Sequence, residues 1–483
     1  MRAPLLIRTV ALLGALAVSN CAVNPVTGNP NFVTMSESQE INVGRTEDKK
    51  VREQYGIYDN PELQRYVNDI GQRLAKASHR AGLQYQFLVV DSPQVNAFAL
   101  PGGYIYITRG ILAYLNSEAE LAAVLGHEIG HVTARHSVQQ ISAATAANVS
   151  VSVLQILVPQ ARSSAGDLLI NVLGGSILSG YGREHELEAD RLGAEYLART
   201  GYDPQAMIKV VGVLKNQELF DAAVAKSEGR EPRAYHGLFA SHPDNDTRLQ
   251  EVVRESAKFT SKENRINREP FMKYMDGMIY GDSPEQGIVR NNAFYHASLG
   301  LALQFPAGWR VQNSAQHVTA QSPDRNALVD LRSAGRAEGS PAAVLRKLLK
   351  LGSGSEVTPT TFGGQSAAIT EQTLSGKPTR IAVVFIDKNA YAIGVQANTT
   401  AAYNQHRAAL DTAMNSFHAM TAAERVLAKP LRVRVTTARA GLTFADLARN
   451  SPLGRFAADH LRVLNDRYPG GEPVTGQSLK TVE

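Results

Sequence analysis

Two periodicities divide this chain. From about residue 36 to residue 270 apolar side chains recur mostly at helical spacing, whereas from about 291 to 420 they recur in short alternating runs. Ser36 and Gln39 make a capping box that opens a first helix. Asn60-Pro61 opens a second, with Leu63, Tyr66, Val67, Ile70 and Leu74 along one face. Residues 85–90 predict a strand, and residues 96–100 and 104–108, joined by Pro101-Gly102-Gly103, predict a hairpin. Asn116-Ser117 followed by Glu120 caps a helix that runs to about Gln140. Residues 142–181 are mostly apolar, interrupted by Pro159 and Gly174-Gly175. Their uncharged runs fall short of a membrane span and hold Asn148 and Gln155, which favours a buried helical pair over a lid or membrane-contacting hairpin. Residues 183–197 predict a strong helix stopped by Gly201, with Asp203-Pro204 starting another. A polar turn, 241–248, leads into one more helix, and the charged stretch 258–268 closes the unit.

The alternating runs of 291–420, with helices near 342–351 and 400–417, predict an α+β domain. Nothing in it clusters for catalysis, and Trp309 reads as core. The last stretch, 430–483, predicts strand, helix, helix, strand. The expected fold is therefore multidomain: a mainly α domain (36–270) with a small β-hairpin or sheet, an α+β domain (291–420) and a small βααβ module (430–483). The length of 483 residues agrees, since one ordinary core does not grow so large.

Composition adds little, with 43% hydrophobic and 20% charged residues, but it excludes some classes. The net charge of +5 comes without a long Lys/Arg run, which argues against nucleic acid and against a polybasic membrane anchor. Cys21 is the sole cysteine, so no internal disulfide forms. Arg2 and Arg8 precede a short apolar run, 10–18, in the manner of an export signal. A cysteine just after it resembles a bacterial lipobox, although Asn20 stands where Gly or Ala is usual. Residues 1–21 are thus expected to be a signal peptide, with cleavage after Ala15-Leu16-Ala17 as the alternative, and 22–35 a tether.

The chemistry lies in LAAVLGHEIGH, residues 121–131. His127 and His131 are four apart, so on a helix both imidazoles project from one face and can share a metal ion. Imidazole suits zinc, and a catalytic zinc takes three protein ligands and keeps one position open. Glu128 sits at the edge of that face, within reach of a water on the metal. A solvated helix face is the alternative, and it fits poorly among Val124, Leu125, Ile129 and Val132. The helix after 183 carries Glu186 and Asp190 on one face, a carboxylate ligand and a carboxylate to support one. A helix ion pair with Arg191 or a nearby Arg is the alternative for Asp190.

His127-Glu128-Ile129-Gly130-His131 followed by Glu186-Leu187-Glu188-Ala189-Asp190 resembles the gluzincin zinc metallopeptidases of the CAAX-prenyl-protease type, the group of HtpX-like and BepA-like proteases. The likeness includes Asn96-Ala97-Phe98 and covers roughly residues 36–260. It implies one catalytic zinc ion held by His127, His131 and Glu186, with Glu128 as the catalytic carboxylate. Asp190 would then hydrogen-bond the distal nitrogen of a ligand histidine, and Glu188 points elsewhere. His242 and Arg248 are candidates to stabilise an oxyanion, and His242 is alternatively a latent fourth ligand. An extended protein or peptide substrate is expected along the edge of the hairpin at 103–106. The last module is similar to a degenerate LysM module, with Leu442 where the usual pattern has Asp and with the pair Leu464-Asn465 intact, which implies weak peptidoglycan contact, and a structural βααβ cap is the alternative. The resemblance thus implies an envelope endopeptidase acting on misfolded envelope proteins and near the outer-membrane assembly machinery, and the export signal places it in the periplasm, anchored to the outer membrane by a lipid on Cys21 if the atypical lipobox is used. A catalytically quiet zinc-containing scaffold or chaperone is the alternative.

Overall fold

The computed structural model describes residues 21–28, 30–146, 182–229 and 245–483. Strands β1 (Cys21–Val23) and β2 (Pro30–Phe32) pair antiparallel. The stretch expected to be a tether, 22–35, therefore holds a hairpin. Asn24 Oδ1 accepts from Val26 N at 2.8 Å inside its turn, and Thr34 N donates to Ser142 Oγ at 3.0 Å. One of these bonds is local and the other reaches a residue 108 positions along the chain, and neither is announced by a Pro/Gly-rich composition.

Helix α1 (Glu37–Tyr55) starts with the Ser36/Gln39 capping box, and α2 (Pro61–Lys76) starts from Asn60, whose side chain accepts from Leu63 N. The apolar stripe of α2 buries Leu63, Val67, Ile70 and Leu74. Strands β3 (Gln86–Val90), β4 (Ala97–Leu100) and β5 (Tyr104–Thr108) form a sheet in the order β3-β5-β4. β5 runs parallel to β3 and antiparallel to β4. The hairpin at 103–106 thus has no free edge on its second strand, because β5 is paired on both sides. The turn needs its glycines, since Gly102 and Gly103 have φ of 79° and 92°.

Helices α3 (Arg109–Tyr114), α4 (Glu118–Thr133) and α5 (His136–Ala146) follow, then α6 (Arg183–Arg199), α7 (Ala206–Glu228), α8 (Asn245–Ser256) and α9 (Arg268–Met275). The helix expected to reach Gln140 stops at Thr133, because Arg135 adopts a left-handed φ of 59°. The apolar run read as a helical pair, 142–181, lies outside the described residues beyond 146.

Beyond β6 (Ile279–Tyr280) the chain turns to β structure. Strands β7 (Ile288–Arg290), β8 (Ala293–His296) and β9 (Leu301–Gln304) lie in a sheet with β17 (His418–Ala419), ordered β17-β9-β8-β7. Strands β10 (Arg310–Asn313), β11 (His317–Gln321), β12 (Ala327–Arg336), β13 (Thr358–Phe362), β14 (Gln365–Leu374), β15 (Lys377–Ile386) and β16 (Asn389–Ala397) form a larger one, ordered β10-β11-β12-β16-β15-β14-β13. Strand alternation divides its side chains between two helices. Ala382, Val384 and Ile386 of β15 pack with Leu410 and Met414 of α11 (Thr400–Asn415). Ile381, Val383 and Phe385 pack with Leu345 of α10 (Pro341–Leu349). Trp309 is buried in this core, edge-on to His406 at 5.6 Å.

After β17 (His418–Ala419) and a single turn, α12 (Glu424–Leu427), the chain ends in β18 (Leu431–Thr437), α13 (Phe444–Ala448), α14 (Ala457–Leu464) and β19 (Ser478–Val482). This βααβ unit is not separate in space. β18 also pairs with β6, and Val433, Phe444, Leu461 and Val482 belong to one apolar cluster with Val67, Leu121 and Ile129. Lys480 is fully buried and donates from Nζ to Ala113 O at 2.6 Å and Leu115 O at 2.7 Å, at the end of α3 just before the cap of α4.

Candidate metal centre

Helix α4 begins at Ser117, whose Oγ accepts from Glu120 N, while Glu120 Oε2 accepts from Asn116 N at 2.6 Å. Every residue from Glu118 to Thr133 is buried. What lets α6 approach it is a seam of small residues on both helices. A Cβ on Gly130 would lie 3.0 Å from Ala189 Cα, and one on Gly193 would lie 3.0 Å from His127 N. Gly126 faces Gly193 likewise, at 3.3 Å. The backbones therefore touch, and Glu186 on α6 reaches the imidazoles of α4.

The three ligand atoms converge. His127 Nε2 lies 3.0 Å from His131 Nε2, His127 Nε2 lies 3.6 Å from Glu186 Oε2, and His131 Nε2 lies 3.5 Å from Glu186 Oε1. Ligand atoms about 2.1 Å from a tetrahedral zinc stand about 3.4 Å from one another, which matches the triangle. His127, His131 and Glu186 are the set that the family resemblance implies, and among the described residues they form the one His/Cys/Asp/Glu group able to share an ion.

Their surroundings fit a metal. Asp190 Oδ1 lies 2.8 Å from His127 Nδ1, and a carboxylate only accepts, so Nδ1 carries the proton and Nε2 keeps its lone pair. Arg191, the alternative partner for Asp190, instead lies 3.8 Å from Glu195. His131, Glu186 and Glu128 are all fully buried. Two imidazole lone pairs and a carboxylate aimed at one buried point repel each other unless a cation sits between them. N and O donors in this number suit zinc.

Glu128 lines a small cavity beside this point together with His127 and Asp190. Ala123, Val124, Met207, Val210, Val211 and Leu214 complete its wall from α4 and α7. Arg248, expected in a turn, lies within α8. His242 lies outside the described residues.

Sequence reasoning missed His136 and set Glu188 aside. His136 Nδ1 lies 2.9 Å from His131 Nδ1, and His136 Nε2 lies 3.1 Å from Glu188 Oε2. The ring of His136 stacks on His185 at 4.2 Å. Burial alone would push Glu188 up, but the hydrogen bond and charge of His136 hold it below the ordinary carboxylate range. Burial, and then the neighbouring His136, push His185 down to about 4. In a continuous helix His136, five residues past His131, would face away from the metal. The left-handed Arg135 brings it back.

Residues 61–256 match the model of Peptidase family M48. This is an M48 peptidase domain. Over 237 residues the chain is 32% identical to a beta-barrel assembly-enhancing protease of Yersinia pestis, covering 47% of this chain and 46% of that protein. The corresponding protease of Escherichia coli (strain K12) is 30% identical, with the same coverage. A mitochondrial metalloendopeptidase OMA1 of Arabidopsis thaliana is 35% identical over 159 residues, 33% of this chain and 31% of that one. The chain thus spans about half the length, or less, of these curated relatives. M48 domains are zinc-dependent metallopeptidase domains, and in this one His127, His131 and Glu186 form a group that could hold a metal ion.

Proposed function

We propose that this protein is a zinc-dependent endopeptidase of the bacterial cell envelope that hydrolyses misfolded or misassembled envelope proteins. The observation that carries the reading is the triangle of ligand atoms with Glu128 buried beside it. A purely structural site has no use for that carboxylate. Zinc held there supplies a Lewis acid that activates water near neutral pH and polarises a carbonyl. Glu128 takes the proton from the attacking water and returns it to the leaving amine. Asp190 fixes the tautomer of His127. His242 and Arg248 supply the oxyanion donor, a role supported by their spacing in the Ser-His-Pro…Thr-Arg segment. The other role for His242, a latent ligand, separates from this one by a single variant. His242→Ala lowers cleavage if the residue donates to the oxyanion and raises it if it blocks the metal, and unchanged cleavage removes both roles.

An extended peptide adds to the outer edge of β4 rather than to β5. Thr108 N donates to Asn96 O, so by antiparallel alternation the main-chain groups of Ala97 and Ala99 point away from β5. The outer edge of β3 is instead covered, since Tyr58 N donates to Val89 O and Gln64 bonds both Val89 N and O. Main-chain pairing of this kind is largely indifferent to sequence and suits unfolded substrates. The names of the Yersinia and Escherichia relatives support a place near outer-membrane assembly. The pattern of residues 1–21 supports the periplasm, with a lipid on Cys21. Among the described residues no helix is long and apolar enough to cross a membrane.

We assign 36–270 and 291–420 as domains and 430–483 as a LysM-like module with weak peptidoglycan contact, packed into the core of the first domain rather than standing apart from it. The βααβ order supports the last of these. Asn465 of the Leu-Asn pair serves the fold itself, donating to Lys480 O at 2.9 Å and accepting from Lys480 N at 2.8 Å.

The test is casein cleavage by the full chain. Wild type cleaves and is stopped by a chelator, while Glu128→Gln keeps its zinc and loses about 10²- to 10⁴-fold of the rate. A wild type that holds zinc yet cleaves nothing, even with His242→Ala, replaces the peptidase with the scaffold.

A further inference from the structure

We propose that His136 and Glu188 are positioning residues that hold His131 in the tautomer and orientation a metal ligand needs. The inference rests on the zinc site above, and it follows from proton bookkeeping along one line of atoms. His131 Nε2 points at His127 and Glu186, so its lone pair must lie on Nε2 and its proton on Nδ1. The atom facing that proton, at 2.9 Å, is His136 Nδ1, which therefore accepts. His136 must then carry its own proton on Nε2, where Glu188 Oε2 accepts it at 3.1 Å. Each step fixes the next, and the line ends on a carboxylate.

The two histidine ligands are thus supported differently. His127 meets Asp190 directly, whereas His131 meets its carboxylate through an interposed imidazole. Both arrangements orient the ring and raise the basicity of the ligating nitrogen. The ring plane of His136 is set by stacking on His185, 4.2 Å away and tilted by 19°.

Its position along the chain is set by the break between α4 and α5. Arg135 holds a left-handed φ of 59°, a conformation disfavoured for a residue with a side chain. The guanidinium holds it there, donating from Nε to buried Glu40 Oε2 at 3.0 Å and from Nη2 to Met35 O at 2.9 Å. Glu40 in turn accepts from Arg80 Nη1 at 2.8 Å. The first helix of the domain therefore sets where His136 points.

The test is equilibrium zinc affinity of the full chain, measured by competition with a chromophoric chelator and paired with urea unfolding of the zinc-free protein. Glu188→Ala is expected to weaken zinc binding about 10- to 100-fold. Glu188→Gln, which still accepts from His136, recovers most of that loss. His136→Phe weakens binding as Glu188→Ala does, and His136→Gln, whose amide oxygen can accept from His131, recovers part of it. The zinc-free unfolding midpoints of the Glu188 variants stay close to wild type, which a merely structural role would not give. Zinc dissociation constants of Glu188→Ala and Glu188→Gln within about twofold of wild type overturn the inference, whether or not the His136 variants fold. A wild-type chain that binds no zinc overturns the proposed function as well, so the two failures are distinguishable.

Discussion

Histidines are buried at the metal centre and half-buried where the C-terminal module meets the peptidase domain, and they do opposite things. At the second place His460 Nε2 lies 2.6 Å from Tyr280 Oη and 3.0 Å from Tyr114 Oη, and Lys480 Nζ is spent on two carbonyls. The imidazole of His460 and the Nζ of Lys480 there each end on partners of complementary role. At the metal centre the outer nitrogens, bonded to Asp190 and His136, push the inner lone pairs of His127 and His131 toward one point. Burial and ionisable chemistry are common to both places. Convergence of like lone pairs is what separates a site from a seam.

The largest break in that contrast is His131→Ala. Cleavage falls by more than about 10³-fold, the scale of losing an essential catalytic group, and zinc per chain drops toward zero by metal analysis. At the seam, Lys480→Met leaves two carbonyls without their donor and costs about 3 kcal/mol of stability in urea unfolding, with kcat of the folded fraction unchanged. Gly193→Val attacks the geometry rather than the chemistry. Its side chain meets His127 N and the Met207 sulfur, so the helices part, stability falls by about 2 kcal/mol and zinc affinity falls with it.

The smallest effect is a pH dependence. Burial pushes His460 down to about 4, against about 6.5 in the unfolded chain. Between those values the unfolded chain binds more protons, so the stability present above pH 6.5 is lost as pH falls toward 4. From pH 7 to 5.5 the loss is about 1 kcal/mol, and His460→Phe removes that component of the slope in urea titrations at the two pH values.

Several elements were legible because their signals are local. The caps at Ser36, Asn60 and Ser117 and the stripe Leu63-Val67-Ile70-Leu74 depend on neighbours within one or two turns. The βααβ order of the last module follows from alternation and turn residues. The pairing of β5 on both sides was not legible, because a hairpin does not announce a third strand arriving in parallel from residues 86–90. The small residues Gly126, Gly130, Ala189 and Gly193 were in plain view, but only a helix crossing gives them meaning.

The sequence by itself determined that His127 and His131 share one face with Glu128 at its edge, and that a helix with Glu186 and Asp190 could return to it, since helical periodicity is a local property. Tertiary structure decided which atoms meet there. His136 reaches His131 only because Arg135 breaks the helix under the hold of Glu40, nearly a hundred residues earlier in the chain. Lys480 reaches the threshold of the same helix from the far end of the protein. Contacts between distant residues are set by packing, which no window of sequence contains.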